Sequence, residues 1–404
     1  MNHHLVGLVL FPWIALSVPA VASIALVSGD LVASEQSPPT LHGVDRVSGA
    51  STGSCPCSAC TSSIKDVTVH GTSEIYVSTR YEIVEIDASS CANRVVTSIQ
   101  VASGFFTGIT LDRDGALLVT AADCTDCVRE PSRTYGGVLR VDRSSGTQSI
   151  LFSGPPMISP DGLAVAPDGR IYVAAQDTAA GFDSGVIRID PASPATAAFV
   201  AIGDDTAAPI DRTDIVSATD VAIENSAGPL YVLDTRYRGS TLQDELRIIA
   251  VDLAGAPTSN QTLLTEGLEG VNQDRSSGSL LGIDILGGTL LTFDHVFSTG
   301  SSSDYAGVVS FVPGVSSGEG THLTDASAFY YPSGLALVPE PEPLGAGVTA
   351  CLALMSLLAR AATSSSKPAF SPLTSTRRPG VGPSKPGAAR SRPASASWPQ
   401  AARR

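Results

Sequence analysis

The chain has 404 residues, with 38 Gly and 27 Pro and only 16% charged side chains. That balance, with Val, Ile, Leu and Thr in short runs, favours many short strands joined by turns and argues against a helical protein. All 39 acids lie within residues 1–342 against 16 of the 25 bases, a net charge of −23 there. Such a body repels nucleic acid and stays soluble through self-repulsion.

The opening "MNHHLVGLVLFPWIALSVPAVASIA" joins a weakly charged start to an apolar run over residues 5–18, then Ala20-Val21-Ala22 as a small-x-small cleavage site. This is the layout of a secretory signal peptide over residues 1–22, with an uncleaved anchor as the alternative. Cleavage leaves Ser23 as the first mature residue.

A repeat then runs through the body. Residues 107–142 and 161–190 each read strand, Asp-Gly turn, strand, polar loop, then Gly-Val-(Ile/Leu)-Arg-(Ile/Val)-Asp. The Asp-Gly pair suits a tight hairpin because Gly accepts a positive φ. The pattern recurs at 65–87 ("KDVTVHGTSEIYVS" with "YEIVEID"), at 219–252 ("TDVAIENSAGPLYVLD" with "ELRIIAVD") and at 281–312 ("LGIDILGGTLLTFD" with "AGVVSFV"). A weaker fourth strand follows most copies. Five four-stranded units imply a β-propeller. A sixth is split: residues 333–338 give an inner strand, and "DLVASEQSPPTLHGVDRVSG" near the mature N-terminus gives a second and a third. Joining them closes the ring and removes exposed edges. The expected fold is all-β, a six-bladed propeller over residues 23–338, with a pair of immunoglobulin-like sandwiches as the structural rival.

Six cysteines fall in the exported part: Cys55, Cys57, Cys60, Cys91, Cys124 and Cys127. "CPCSAC" with "CTDC" has the count and spacing of a tetrathiolate metal site, but an oxidising compartment favours disulfides. A bridge between those two segments is sterically feasible; Cys91, expected on the opposite face, has no obvious partner. Cys351 lies in a later apolar segment.

Aspartates gather where inner strands begin (Asp66, Asp161, Asp220) and where second strands end (Asp123, Asp177, Asp234, Asp294), and "GDDTAAPIDRTD" adds Asp211 and Asp214. Hard oxygen ligands suit Ca²⁺, which makes Asp66, Asp161, Asp220, Asp211 and Asp214 the candidate metal set. Turn capping is the alternative role. "Gly314-Val315-Ser316-Ser317-Gly318" fits a serine-hydrolase pattern but follows a third strand instead of a strand-to-helix elbow. His295 beside Asp294 is the one candidate general base. No catalytic set emerges, and phosphate loops, dinucleotide fingerprints and haem motifs are absent from the sequence.

The chain ends with Val338-Pro339-Glu340-Pro341, then 15 uncharged residues over 344–358, Arg360, and a Pro/Ser/Arg-rich tail over 361–404 that cannot bury a core and reads as disordered. The apolar segment is short for a span, and the bases beyond it would face the cytoplasm. The order of Pro-Glu-Pro (residues 339–343), apolar helix (344–360) and basic stop resembles the PEP-CTERM sorting signal of Gram-negative bacteria. That resemblance implies export, transient anchoring in the inner membrane, processing by an exosortase, and delivery to the outer surface or extracellular polymer. Family members usually stop soon after the basic cluster, and this chain continues.

The body, chiefly through "GLAVAPDGRIYVA" at 162–174, resembles the NHL and gluconolactonase/regucalcin-like propellers. In the gluconolactonase-like enzymes a Glu, an Asn and an Asp around the channel hold the catalytic metal. The matching strand starts here read Asp66, Gly108, Asp161, Asp220, Gly282 and Gly334, without the Glu and Asn. The expectation is therefore an exported binding or scaffold module for polysaccharide or a surface protein, with no nucleic-acid partner. The alternative is a Ca²⁺-dependent lactonase or hydrolase.

Overall fold

The computed structural model describes residues 22–339 except 37, 100–103, 123–128, 131–132, 176–183, 194–195, 204–213, 227, 238–243, 270–282, 298–303, 314–319, 326–327 and 331. The signal-peptide run, Cys124, Cys127, Asp123, Asp177, Asp211, Gly282, the Gly314–Gly318 stretch, Glu340, Pro341, Cys351, Arg360 and the tail lie outside the described residues, as do the side chains of Asp294 and His295.

Six antiparallel sheets follow one another around a ring, each a meander from an inner to an outer strand. Blade one holds Ile64–His70, Glu74–Thr79, Glu82–Asp87 and Asn93–Ser98. Blade two holds Phe105–Leu111, Leu117–Ala122, Gly137–Val141 and Gln148–Ser153. Blade three holds Pro160–Val165, Ile171–Ala175, Gly185–Ile189 and Ala197–Ile202. Blade four holds Ala218–Ala222, Leu230–Tyr237, Asp244–Val251 and Gln261–Glu269. Blade five holds Asp284–Leu286, Thr289–Phe297 and Asp304–Phe311, with two short pieces, Thr321–His322 and Phe329–Tyr330, both paired to Asp304–Phe311.

The closing blade is split as the sequence implies. Its inner strand is Pro332–Leu337, paired antiparallel to Leu31–Gln36, with Pro39–Val44 and Ser51–Pro56 outside it. The seam is dense with hydrogen bonds. The Gly334 N–H donates to Ser34 Oγ at 2.8 Å, and the Ser34 and Ser333 hydroxyls lie 2.9 Å apart. Past the strand, the Val338 N–H donates to the Asp30 carbonyl at 2.8 Å, and the Gly29 N–H donates to the Val338 carbonyl at 2.9 Å.

The core is a series of layers between blades instead of one central mass. Strand alternation sends successive side chains to opposite neighbours. Leu31 shares a cluster with Phe293 of blade five on one side of the closing blade, while Val32 shares one with Val67 and Ile75 of blade one on the other. Tyr76 and Ile83 of blade one meet Phe106 and Leu117 of blade two.

Three of the third-to-fourth turns, in the closing blade and blades one and two, share one chemistry. Asp45, Asp87 and Asp142 each accept from nearby backbone amides and from a serine hydroxyl. The Ser144 hydroxyl and neighbouring donors hold the Asp142 carboxyl down at about 2. Four residues on, the chain needs a left-handed residue: Gly49 has φ +69° and Gly146 has φ +70°. Cys91 stands in that position in blade one with φ +51°.

Cys91 bonds Cys55, and Cys57 bonds Cys60. The expected link from "CPCSAC" to "CTDC" is therefore corrected for three of its cysteines. Cys55 sits on Ser51–Pro56, a full outer strand that runs past the Asp87–Cys91 turn of blade one. The same neighbours are tied by the Ile24 N–H to the Ala88 carbonyl at 2.7 Å. Removing the 36-residue Cys55–Cys91 link as Cys55→Ala with Cys91→Gly should lower stability by about 3–4 kcal/mol on chain-entropy grounds. Urea unfolding of that variant against the oxidised parent checks this, and equal midpoints would refute it.

Candidate functional site

The inner strands surround a channel whose narrow cavity, about 160 Å³, is lined among others by Asp66, Asp220 and Asp284. Asp66 and Asp220 are each 7% exposed and Asp284 is partly buried. Each carboxylate accepts two backbone amides, one from its own strand and one from the following blade. Asp66 takes Val67 N–H at 2.7 Å and Ile109 N–H of blade two at 2.9 Å. Asp220 takes Val221 N–H at 2.8 Å and Ile283 N–H of blade five at 2.9 Å. Asp284 takes Ile285 N–H at 2.8 Å and Leu337 N–H of the closing blade at 3.0 Å. Three of the six blade boundaries are thus clamped by a carboxylate.

The glycines of the pattern serve other joints, from blade three to blade four and from the closing blade to blade one. A Cβ on Gly162 would lie 1.9 Å from Asp220 Oδ1, and one on Gly334 would lie 2.9 Å from Asp66 Oδ1. Only a bare backbone lets the preceding blade come this close.

Asp161 does not belong to this ring of positions. Each inner strand of blades one to four is bulged near its entrance, between Ile64 and Asp66, Phe106 and Ile109, Pro160 and Leu163, and Ala218 and Asp220. With the bulge counted, Gly162 matches Asp66 and Asp220, while Asp161 falls beside Lys65, Thr107 and Thr219. A bulge turns successive side chains to different surroundings, so one residue of slippage changes the role. Asp161 instead sits in the field of Lys65, whose ammonium is pushed down by burial and pulled up by Asp161. Asp214 lies near blade four, where its carbonyl accepts from Arg247 at 2.9 Å.

Asp284 was missed because the strand starts were matched at Gly282. The legible signal was an acid between two isoleucines in "GIDI". Asp234, by contrast, is a fully buried partner of Arg247 Nε at 3.0 Å, and it also accepts the Val216 and Ser217 amides. Burial pushes its carboxyl up, against the pull of Arg247.

Burial is also the first influence on the channel acids. Asp66 is pushed up to about 7, with its two amides opposing and Asp284 adding to the rise. Asp284 is pushed up to about 6. Asp220 is held well above the ordinary carboxylate value by burial and by Asp66. The folded protein therefore binds protons that the unfolded chain has already released above about pH 4. Stability from these groups is greatest at low pH and falls as pH rises through about 4 to 7. Asp66→Asn, which cannot ionise, should flatten the fall by about one proton's worth of slope. Unfolding free energies at acid and neutral pH check this, and an unchanged slope would refute it.

A Ca²⁺ ion takes about six to eight oxygen ligands. Among the described residues no group of three or more His, Cys, Asp or Glu side chains is arranged to hold a metal ion. Each channel acid is engaged at its own joint, and Asp66, Asp161, Asp220 and Asp214 form no such group, while Asp211 lies outside the described residues.

No known family description matches the chain, and no curated protein matches it. Solved structures do. A chain of a nidogen/laminin complex has 11% identity and a TM-score of 0.50, covering 77% of this chain and 99% of that one. Regucalcin from Agrobacterium tumefaciens has 11% identity and a TM-score of 0.42, covering 69% of this chain and 85% of that one. A gluconolactonase from Xanthomonas campestris has 15% identity and a TM-score of 0.41, with coverages of 79% and 88%. The likeness to the nidogen/laminin chain speaks to fold alone, and the strand pairing makes that fold the all-β six-bladed propeller.

Proposed function

We propose that this chain is exported, held at the inner membrane by residues 344–360, processed near Pro339-Glu340-Pro341 by an exosortase-type enzyme, and delivered to the outer surface, where the propeller acts as a binding or scaffold module. The observation that carries a binding role is the channel itself. Asp66, Asp220 and Asp284 are each engaged by a backbone amide of the adjoining blade, so among the described residues the acids at the pore join blades together and form no ligand set. The competing lactonase needs a converging ligand set there. Support for sorting comes from the seam: the ring's last hydrogen bonds are made by Val338 and by Pro339, whose carbonyl accepts from Ser28 Oγ at 3.1 Å. The sorting motif therefore starts where the closed ring ends.

The test expresses the full chain in a bacterium with an exosortase and follows it by fractionation. The intact chain should appear shortened at the cell surface. A variant with Pro339, Glu340 and Pro341 all changed to Ala should stay in the inner membrane at full length. Equal surface delivery of both would overturn the sorting reading, and lactone turnover that Asp66→Asn abolishes would overturn the binding reading.

A further inference from the structure

Away from the channel, blades one and two enclose a groove of about 590 Å³ on the face carrying the first-to-second and third-to-fourth turns. Its wall is a charged lattice held in place by its own pairing. Arg143 donates to Glu74 at 2.7 Å, and the Tyr76 hydroxyl donates to the same carboxylate at 2.8 Å. Arg143 also lies 3.3 Å from His70 Nε2. A guanidinium only donates, so that nitrogen accepts, and Nδ1–H of His70 donates to Glu74 at 3.1 Å. Arg140 binds Asp112 at 2.6 Å and also Asp114, while Arg94 binds Glu85 and, at 3.3 Å, the Arg143 carbonyl.

We propose that this groove binds a neutral polyhydroxylated ligand, a short run of a glycan chain. The inference rests on the binding-module reading and gives it a site and a ligand class. The volume lies within the usual range for ligand sites, but those are mostly apolar, and this one is lined chiefly by charged and hydroxyl side chains. Each of its three guanidiniums already holds a carboxylate, so no free cation waits for a phosphate, sulfate or uronate. Acids outnumber bases in the lining, which further disfavours anions. Among the described lining residues Tyr76 and Ala116 are the only aromatic or aliphatic ones, too little to anchor a peptide side chain. Paired carboxylates keep lone pairs and paired guanidiniums keep N–H groups, so the wall presents fixed acceptors and donors side by side. Sugar hydroxyls, which both donate and accept, match that pattern. Ala116 and the alkyl stems of the arginines give the small apolar faces that sugar C–H groups need. The pairing also fixes long side chains in advance, lowering the entropy lost on binding.

The test uses the oxidised full chain and saturation-transfer NMR with malto-, cello-, laminari- and manno-hexaose. Pentagalacturonate and inorganic phosphate serve as anionic probes. Ser149 lines the groove on an exposed strand position opposite Arg140, so Ser149→Trp fills it while leaving every ion-pairing residue in place. Ala198→Trp, exposed on the outer strand of blade three, is the matched control. At least one neutral hexaose should bind, and affinity should fall by about tenfold or more in Ser149→Trp while Ala198→Trp binds as the parent does. Melting temperatures of both variants establish that they fold, and Thr147→Trp replaces Ser149→Trp if the latter does not. Neutral-glycan binding that survives in the filled groove overturns this site but leaves the binding-module reading standing. Preference for the anionic probes, or no binding of any hexaose, overturns the proposal, and surface delivery then decides the broader reading separately.

Discussion

Replacing Arg247 by Met should destabilise the protein by about 3–5 kcal/mol, because it strands the Asp234 carboxylate in a dry interior. Both residues are fully buried, and Arg247 reaches Asp234 through two nitrogens while also donating to the Asp214 carbonyl. Asp234 in turn holds the Val216 and Ser217 amides that lead into blade four. The register explains why the pair is there. Arg247 lies opposite Asp234, where blades two and three place Gly137 opposite Ala121 and Gly185 opposite Ala175. The double variant Asp234→Ala with Arg247→Gly restores that small pair, and should be less destabilised than Arg247→Met alone. Urea unfolding of the three proteins measures both effects. If Arg247→Met lost under 1 kcal/mol, about the value of an exposed pair, the buried assignment would be wrong.

The second large effect is at the seam. Ending the chain at residue 331 deletes Pro332–Leu337 and leaves Leu31–Gln36 without its inner partner. Leu335 and Val338 are almost fully buried, and each side chain of this kind is worth about 1.5–3 kcal/mol. The Ser34, Asp30 and Asp284 hydrogen bonds across the seam are lost with them. Against a total stability of about 5–15 kcal/mol, that loss should abolish cooperative unfolding and leave an aggregation-prone open ring. A chain ending at residue 343 keeps the whole seam and should melt as the full chain does. Calorimetry on the two truncations separates the cases, and a normal transition in the shorter one would contradict ring closure by this strand.

Much of the ring was legible because its signals are local and repeated. Asp-Gly hairpins and the recurring third-strand motif located five blades, and the unmatched strands at the two ends gave the sixth. The aspartates of the third-to-fourth turns went unread, although "VDRVSG" and "VDRSSG" carry cap and left-handed glycine together. What else escaped was set by register. A bulge at the mouth of an inner strand shifts a side chain by one place, which made Asp161 look like a channel acid and hid Gly162 in that role. "ELRIIAVD" looks like another copy of the motif with its exposed arginine, yet pairing puts Ala250 in the slot of Arg140 and Arg188, three residues beyond Arg247. The Cys55–Cys91 link was hidden for a similar reason: it joins an outer strand of one blade to a turn of the next, and no sequence spacing encodes that approach. Cys91 did leave a trace, as the one cysteine standing where its sister turns have glycine.

The claim that the channel aspartates join blades and hold no metal is tested most directly by a thermal melt of the oxidised full chain, with added Ca²⁺ and then with chelator. Carboxylates already engaged by amides predict the same melting temperature in both. A rise of several degrees with Ca²⁺, reversed by the chelator and lost in Asp220→Asn, would show that these acids converge on a cation and would contradict the account.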